Sequence, residues 1–93
     1  MSNFSDSKTF DFSIYTPASV YLTSKVKSVT VPSVTGPFQV LVNHAPIIAA
    51  MDKGIVKVVD ENNNEDSYMI NSGITELHHN QLTLAVSNIE KIN

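Results

Sequence analysis

The 93-residue chain contains no cysteine, which excludes disulfide staples, thiol catalysis and any cysteine-based zinc site. That fits a reducing compartment. Arginine is absent as well, and six lysines against nine acids leave a net charge of −3. A duplex-binding protein needs a basic footprint, and arginine is the preferred reader of bases and phosphates, so a nucleic-acid role is excluded. Tryptophan is missing, which counts against a carbohydrate-binding surface. Three glycines cannot supply a phosphate-cradling loop. The longest apolar run, Ile47 to Met51, falls far short of a bilayer span, so direct membrane insertion is not expected. Met1 to Lys8 lacks the basic-then-apolar order of a signal peptide. These absences point to a soluble chain that remains free to dock on a membrane complex.

What is abundant is β-branched. Val, Ile and Thr number 26 together, against 10 for Ala and Leu. Such side chains are stiff at χ1 and suit a pleated, half-buried surface. A chain of 10.2 kDa allows one domain. Surface scaling allows it to bury about 64% of its unfolded area, enough for one core without a metal.

The periodicity predicts about nine to ten short strands and no convincing helix. Phe10, Phe12 and Ile14 share one face, with Asp11, Ser13 and Tyr15 on the other. Thr16 to Ser19 interrupts, and Val20 to Leu22 forms a short second strand. Lys25 to Val31 has a fault in its period, because Val26 is out of phase with Val29 and Val31. One extra residue near Lys27 and Ser28, a β-bulge, restores a common face. Pro32 ends this strand or marks an edge.

Ser33 to Pro37 is a turn carrying both Gly36 and Pro37. Phe38, Val40 and Val42 alternate with Gln39 and Leu41. After a break at Asn43 to Pro46, Ile47 to Met51 reads as a strand buried on both sides. Ile55 to Val59 follows, then an acid- and Asn-rich tip from Asp60 to Asp66, the return Ser67 to Asn71, and a hairpin of Gly73 to His78 and Gln81 to Val86 across His79 and Asn80. Only Ser87 to Asn93 offers the start of a helix, and it stops at once. The spacing argues for an all-β fold, an antiparallel β-sandwich. Residues 1–8 are expected to fray, 9–89 to form the sandwich and 90–93 a tail. Shared parity places Phe12, Ile14, Val29, Val31, Phe38, Val40, Ile74, Leu82 and Leu84 in the core.

Little here argues for catalysis. His78 and His79, as neighbours on a strand, point to opposite faces unless the turn rotates one of them. They read as exposed turn residues. Glu61, Glu65 and Asp66 lack the ligand order of a calcium loop. Ser72-Gly73 is the nearest approach to a nucleophile elbow and lacks the preceding glycine. No catalytic, cofactor-binding or metal-binding residue is assigned, and no small-molecule substrate is expected. Asn43-His44-Ala45-Pro46 stands apart. Pro46 presses Ala45 into extended backbone and His44 can bond through either ring nitrogen, which suits a structural corner or a contact site.

Gly36-Pro37-Phe38-Gln39-Val40-Leu41-Val42-Asn43-His44-Ala45-Pro46 resembles the signature of the epsilon subunit family of F-type ATP synthase, in its N-terminal β-sandwich domain. Phe12 to Pro17, Val26, Val29 and Val31, Ile47 and Ile48, Gly54 to Val58, and Ser72 to Leu77 extend the similarity over about residues 10–89. Departures are Pro37 for an acid, Gln39 and Asn43 for glycines, Val42 for a proline and Ser72 for the first of two glycines. Asn at 43 still tolerates a left-handed backbone. Family members usually continue into a helical hairpin. If 93 residues are the whole protein, it is a short form without that element, and neither nucleotide binding nor ATP-dependent inhibition is expected of it.

The resemblance implies a non-catalytic rotor subunit without a cofactor. It would link the gamma subunit to the membrane c-ring of a proton-translocating synthase during ATP synthesis. The implied location is peripheral, on the cytoplasmic face of a bacterial inner membrane. It also implies that Thr16 and the corner Asn43, His44, Ala45 and Pro46 lie toward gamma. It further implies that the turn Ser33, Val34, Thr35, Gly36 and Pro37 lies at the c-ring end. The competing reading is an unrelated β-sandwich module that binds a ligand or peptide.

Overall fold

The computed structural model describes residues 9–93, so the expected fraying of 1–8 lies outside the described residues. Alternation of apolar and polar side chains gives nine strands and no helix among the described residues. They are β1 (Phe10–Tyr15), β2 (Val20–Ser33), β3 (Gly36–Val40), β4 (Ile47–Met51), β5 (Gly54–Asp60), β6 (Glu65–Ile70), β7 (Gly73–His78), β8 (Gln81–Val86) and β9 (Ile89–Lys91).

Two of the expected strands are one. β2 runs for 14 residues and belongs to both layers of the sandwich. Its first half pairs with β1, and its second half lies between β3 and β5. The bend between the halves falls where the period breaks: Val26 pairs with Asp60 and Ser28 with Val59, so Lys27 is the extra residue. One layer is therefore β3-β2-β5-β6-β9, and the other is β2-β1-β8-β7-β4. Pairing is antiparallel except for β1 with β8, which run parallel. The ninth strand comes from the segment with weak helical promise. β9 pairs with β6 and takes in Glu90 and Lys91, which the sequence placed in a tail.

Seven of the nine expected core residues are fully sealed, namely Phe12, Ile14, Val29, Val31, Val40, Leu82 and Leu84, each with 0% exposure. Two are not. Phe38 is half-buried in the middle of β3, and Ile74 is 49% exposed. On β7 the inward parity belongs to Thr75 and Leu77, because Leu77 pairs with buried Leu82 and Thr75 with buried Leu84. The Thr75 hydroxyl is buried without a hydrogen-bond partner among the described residues, so this register carries a desolvation cost. β4 is likewise one-sided: Ile48 is 74% exposed, so the strand is not buried on both sides. Ser13, expected to face out, is buried despite its outward parity.

Turn chemistry fixes the ends. Asn63, His79 and Asn80 all have positive φ, and the last two form the two-residue link between β7 and β8. At the β5–β6 tip, Asp60 Oδ1 accepts the amides of Asn62 (2.8 Å) and Asn64 (2.9 Å). The bond from Asn64 is the main reason that the Asp60 carboxyl is held below its ordinary range. That oxygen is thus engaged by its own turn, and among the described residues no group of three potential metal ligands converges. Gly73 is required by a close approach: a Cβ there would meet the Ala85 carbonyl oxygen and Met51 Cε.

Candidate functional site

The register divides the loops between two ends of the sandwich. Ser33 pairs with Met51, Met51 with Gly73, and Gly73 with Val86, while Tyr15 pairs with Ala85. The turn Ser33 to Pro37 and Thr16 therefore share one end. There the Val34 amide donates to the Ala50 carbonyl (3.0 Å) and the Asp52 amide to the Pro32 carbonyl (2.9 Å), which ties the β2–β3 and β4–β5 turns together. Gly36 has φ 126°, a conformation that a side chain resists. Pro32 and Pro37 face each other across the hairpin. Pro37 lies on β3, which among the described strands pairs only with β2, so it removes a donor from an edge strand.

The corner Asn43 to Pro46 lies at the opposite end, beside the β7–β8 turn. Asn43 has φ 65°, the left-handed backbone that asparagine tolerates. Its amide donates to Asn80 Oδ1 (2.7 Å), and Asn80 Nδ2 donates to Asn43 Oδ1 (3.0 Å). The two asparagines clamp the corner to the hairpin. Between them lies an open concavity of about 360 Å³, lined by Asn43, His44, Ala45, Pro46, His79 and Asn80. The structure thus groups Asn43, His44, Ala45 and Pro46 in one site, and separates Thr16 from them by the length of the sheet. The turn does rotate His79: its ring centroid lies 4.1 Å from that of His78, so the two rings are neighbours rather than on opposite faces.

The surface joining these two ends was not legible as a site. Directly paired residues point to the same face of a sheet. The pairing chain Ala50–Ile74–Ala85–Tyr15 therefore forms one outward row, and exposed Val20 extends it onto β2 across a register shift between Ile14 and Tyr15, making it about 19 Å wide at ordinary strand spacing. Ile74, Tyr15 and Val20 in it are 49%, 41% and 54% exposed. The adjoining row is Ile48–Glu76–Thr83–Ser13–Thr23, and the next is His78–Gln81–Asp11–Lys25. Lys25 and Asp11 pair with each other at 2.9 Å. In the first two rows Glu76 is the one charged residue. Isolated exposed apolar residues need no explanation, but a contiguous apolar row is a candidate interaction surface. Periodicity could have found it only by assigning Ile74 to the outer face.

The family model of the ATP synthase Delta/Epsilon chain beta-sandwich domain matches residues 9–92. The chain belongs to this family. It is similar to the ATP synthase epsilon chain of Chlorobium limicola, with 33% identity over 85 residues that cover 91% of this chain and 97% of that one. With the Rickettsia typhi epsilon chain it shares 37% over 79 residues, covering 83% and 72%. Among solved structures, a chain of the Euglena gracilis mitochondrial ATP synthase assembly of OSCP, F1 and c-ring superposes with TM-score 0.85 at 18% identity, over 89% of this chain and 53% of that one. A chain of the Tetrahymena thermophila central stalk and c-ring gives 0.75 at 14% identity, over 86% and 64%. At these identities the likeness is one of fold, and the chain spans about half the length of the Euglena chain. As an epsilon-type subunit it is a non-catalytic part of the rotary complex and is membrane-associated through it. No helix among the described residues is long and apolar enough to cross a membrane.

Proposed function

We propose that this subunit is a stiff mechanical link in the rotor, joining gamma to the c-ring so that proton-driven rotation reaches the catalytic head. The observation that carries this reading is the outward apolar row across β4, β7, β8, β1 and β2, on a family member that has no chemistry of its own. The row gives gamma a broad, flat seat, with the corner Asn43 to Pro46 at one margin and Thr16 at the other. The Ser33 to Pro37 turn rests on the polar loops of the ring. Its tip is uncharged and Val34 is 58% exposed, so it can approach another backbone closely. The nearest charges are Asp52 and Lys53 in the adjoining turn. Torque transmission asks for rigidity, and the shared strand β2 supplies it by joining both layers through one backbone. The working location is the cytoplasmic face of a bacterial membrane. The family match sets aside the reading as an unrelated sandwich module.

Ala45→Glu tests the corner. Ala45 is exposed, so the change leaves the melting temperature close to that of the wild type. Docking would bury a carboxylate without a partner, which lowers affinity for gamma by about tenfold or more. Thermal melting and titration calorimetry on the same preparation separate the outcomes. A stable variant that keeps full affinity removes the corner from the interface.

A further inference from the structure

All three histidines of the chain line two adjoining concavities at one end of the sandwich. His44 and His79 line the first, His78 and Glu76 the second, and Pro46 is shared by both. The second also exposes Ile48, so these concavities form the polar margin of the apolar row.

Within the first concavity most polar groups are already engaged. Asn43 and Asn80 satisfy each other through paired side-chain and backbone bonds. His44 Nδ1 lies 2.7 Å from the Ala45 carbonyl oxygen. A carbonyl only accepts, so Nδ1 must carry the proton. In the neutral ring this leaves Nε2 as a bare acceptor. The corner therefore fixes the tautomer as well as the position, and the face of the His44 ring is steadied by Phe38, whose centroid is 6.4 Å away. Among the described residues the one titratable neighbour lining the same concavity is His79, from the facing hairpin; His78 stacks behind it.

We infer that His44 Nε2 accepts a hydrogen bond from an N–H group of the stalk partner, which makes docking sensitive to pH. This rests on the reading of the corner as part of the gamma-binding surface. Protonation turns Nε2 into a donor and adds a positive charge, so the same contact becomes a donor facing a donor. The subunit's grip on the stalk then loosens as the surrounding solution becomes acid.

The test is titration of the purified chain with the gamma subunit between pH 8 and pH 5.5, with circular dichroism of the free chain as a check on folding. The expected result is binding about tenfold weaker at pH 5.5, the loss set by one proton. His44→Gln binds more weakly at pH 8 and loses the pH dependence. The double variant His78→Gln, His79→Asn keeps it. A pH-independent affinity, tighter binding in acid, or a wild-type slope in His44→Gln would overturn the inference while leaving the docking surface in place. Absence of binding at pH 8 would instead overturn the docking reading itself.

Discussion

Replacing Leu84 by alanine lowers the unfolding free energy by about 2–5 kcal/mol. Leu84 is fully buried on β8. It pairs with Ile14 of β1 and Thr75 of β7, both also sealed, so all three side chains enter the core from one layer. Removing three carbons there forfeits their transfer energy and leaves a cavity between two pleated sheets, which hydrogen bonding prevents from collapsing. A domain of this size has only about 5–14 kcal/mol to lose, so the variant is expected to be largely unfolded well below the wild-type melting temperature. Urea unfolding followed by circular dichroism measures it. A loss below about 1 kcal/mol would place Leu84 outside the core.

Ile74→Asp is expected to do the opposite, leaving the fold and removing the function. Ile74 is half-exposed at the centre of the outward row, flanked by Ala50 and Ala85. In the free subunit the aspartate stays hydrated, so stability changes by less than about 1 kcal/mol. If gamma seats on this row, the aspartate must be dried there with no cation in its own row, at a cost of several kcal/mol. Affinity for gamma then falls by about a hundredfold or more. Calorimetry on the wild type and the variant gives the comparison. Equal affinities would mean that gamma sits elsewhere.

The contrast between these two residues shows what the sequence makes legible. Strict alternation in β1, β3 and β8 identifies Phe12, Ile14, Val40, Leu82 and Leu84 as inward. The broken period of β2 locates its bulge at Lys27, because a parity fault leaves a trace in the order of side chains. On β7 both parities carry an apolar residue, Ile74 on one and Leu77 on the other. Hydrophobicity alone favours isoleucine over Thr75 for the interior. The decision lies in pairing with β8 and in the close approach of Gly73 to Ala85, which are long-range facts. The same holds for the site. The corner at His44 is visible as a local motif. Its clamp to Asn80 joins residues 37 positions apart, and Thr16's place at the far end depends on register. The outward apolar row draws on five strands and has no signature in any one of them.

The most direct test of the rotor role is ATP-driven proton pumping by membranes stripped of this subunit and then given it back. Stripped membranes are expected to hydrolyse ATP with little pumping, because gamma would turn without a firm hold on the ring. Added wild-type chain should restore pumping, and the Ile74→Asp chain should not. Pumping that is unchanged by removal and return of the subunit would contradict the claim that it couples gamma to the ring.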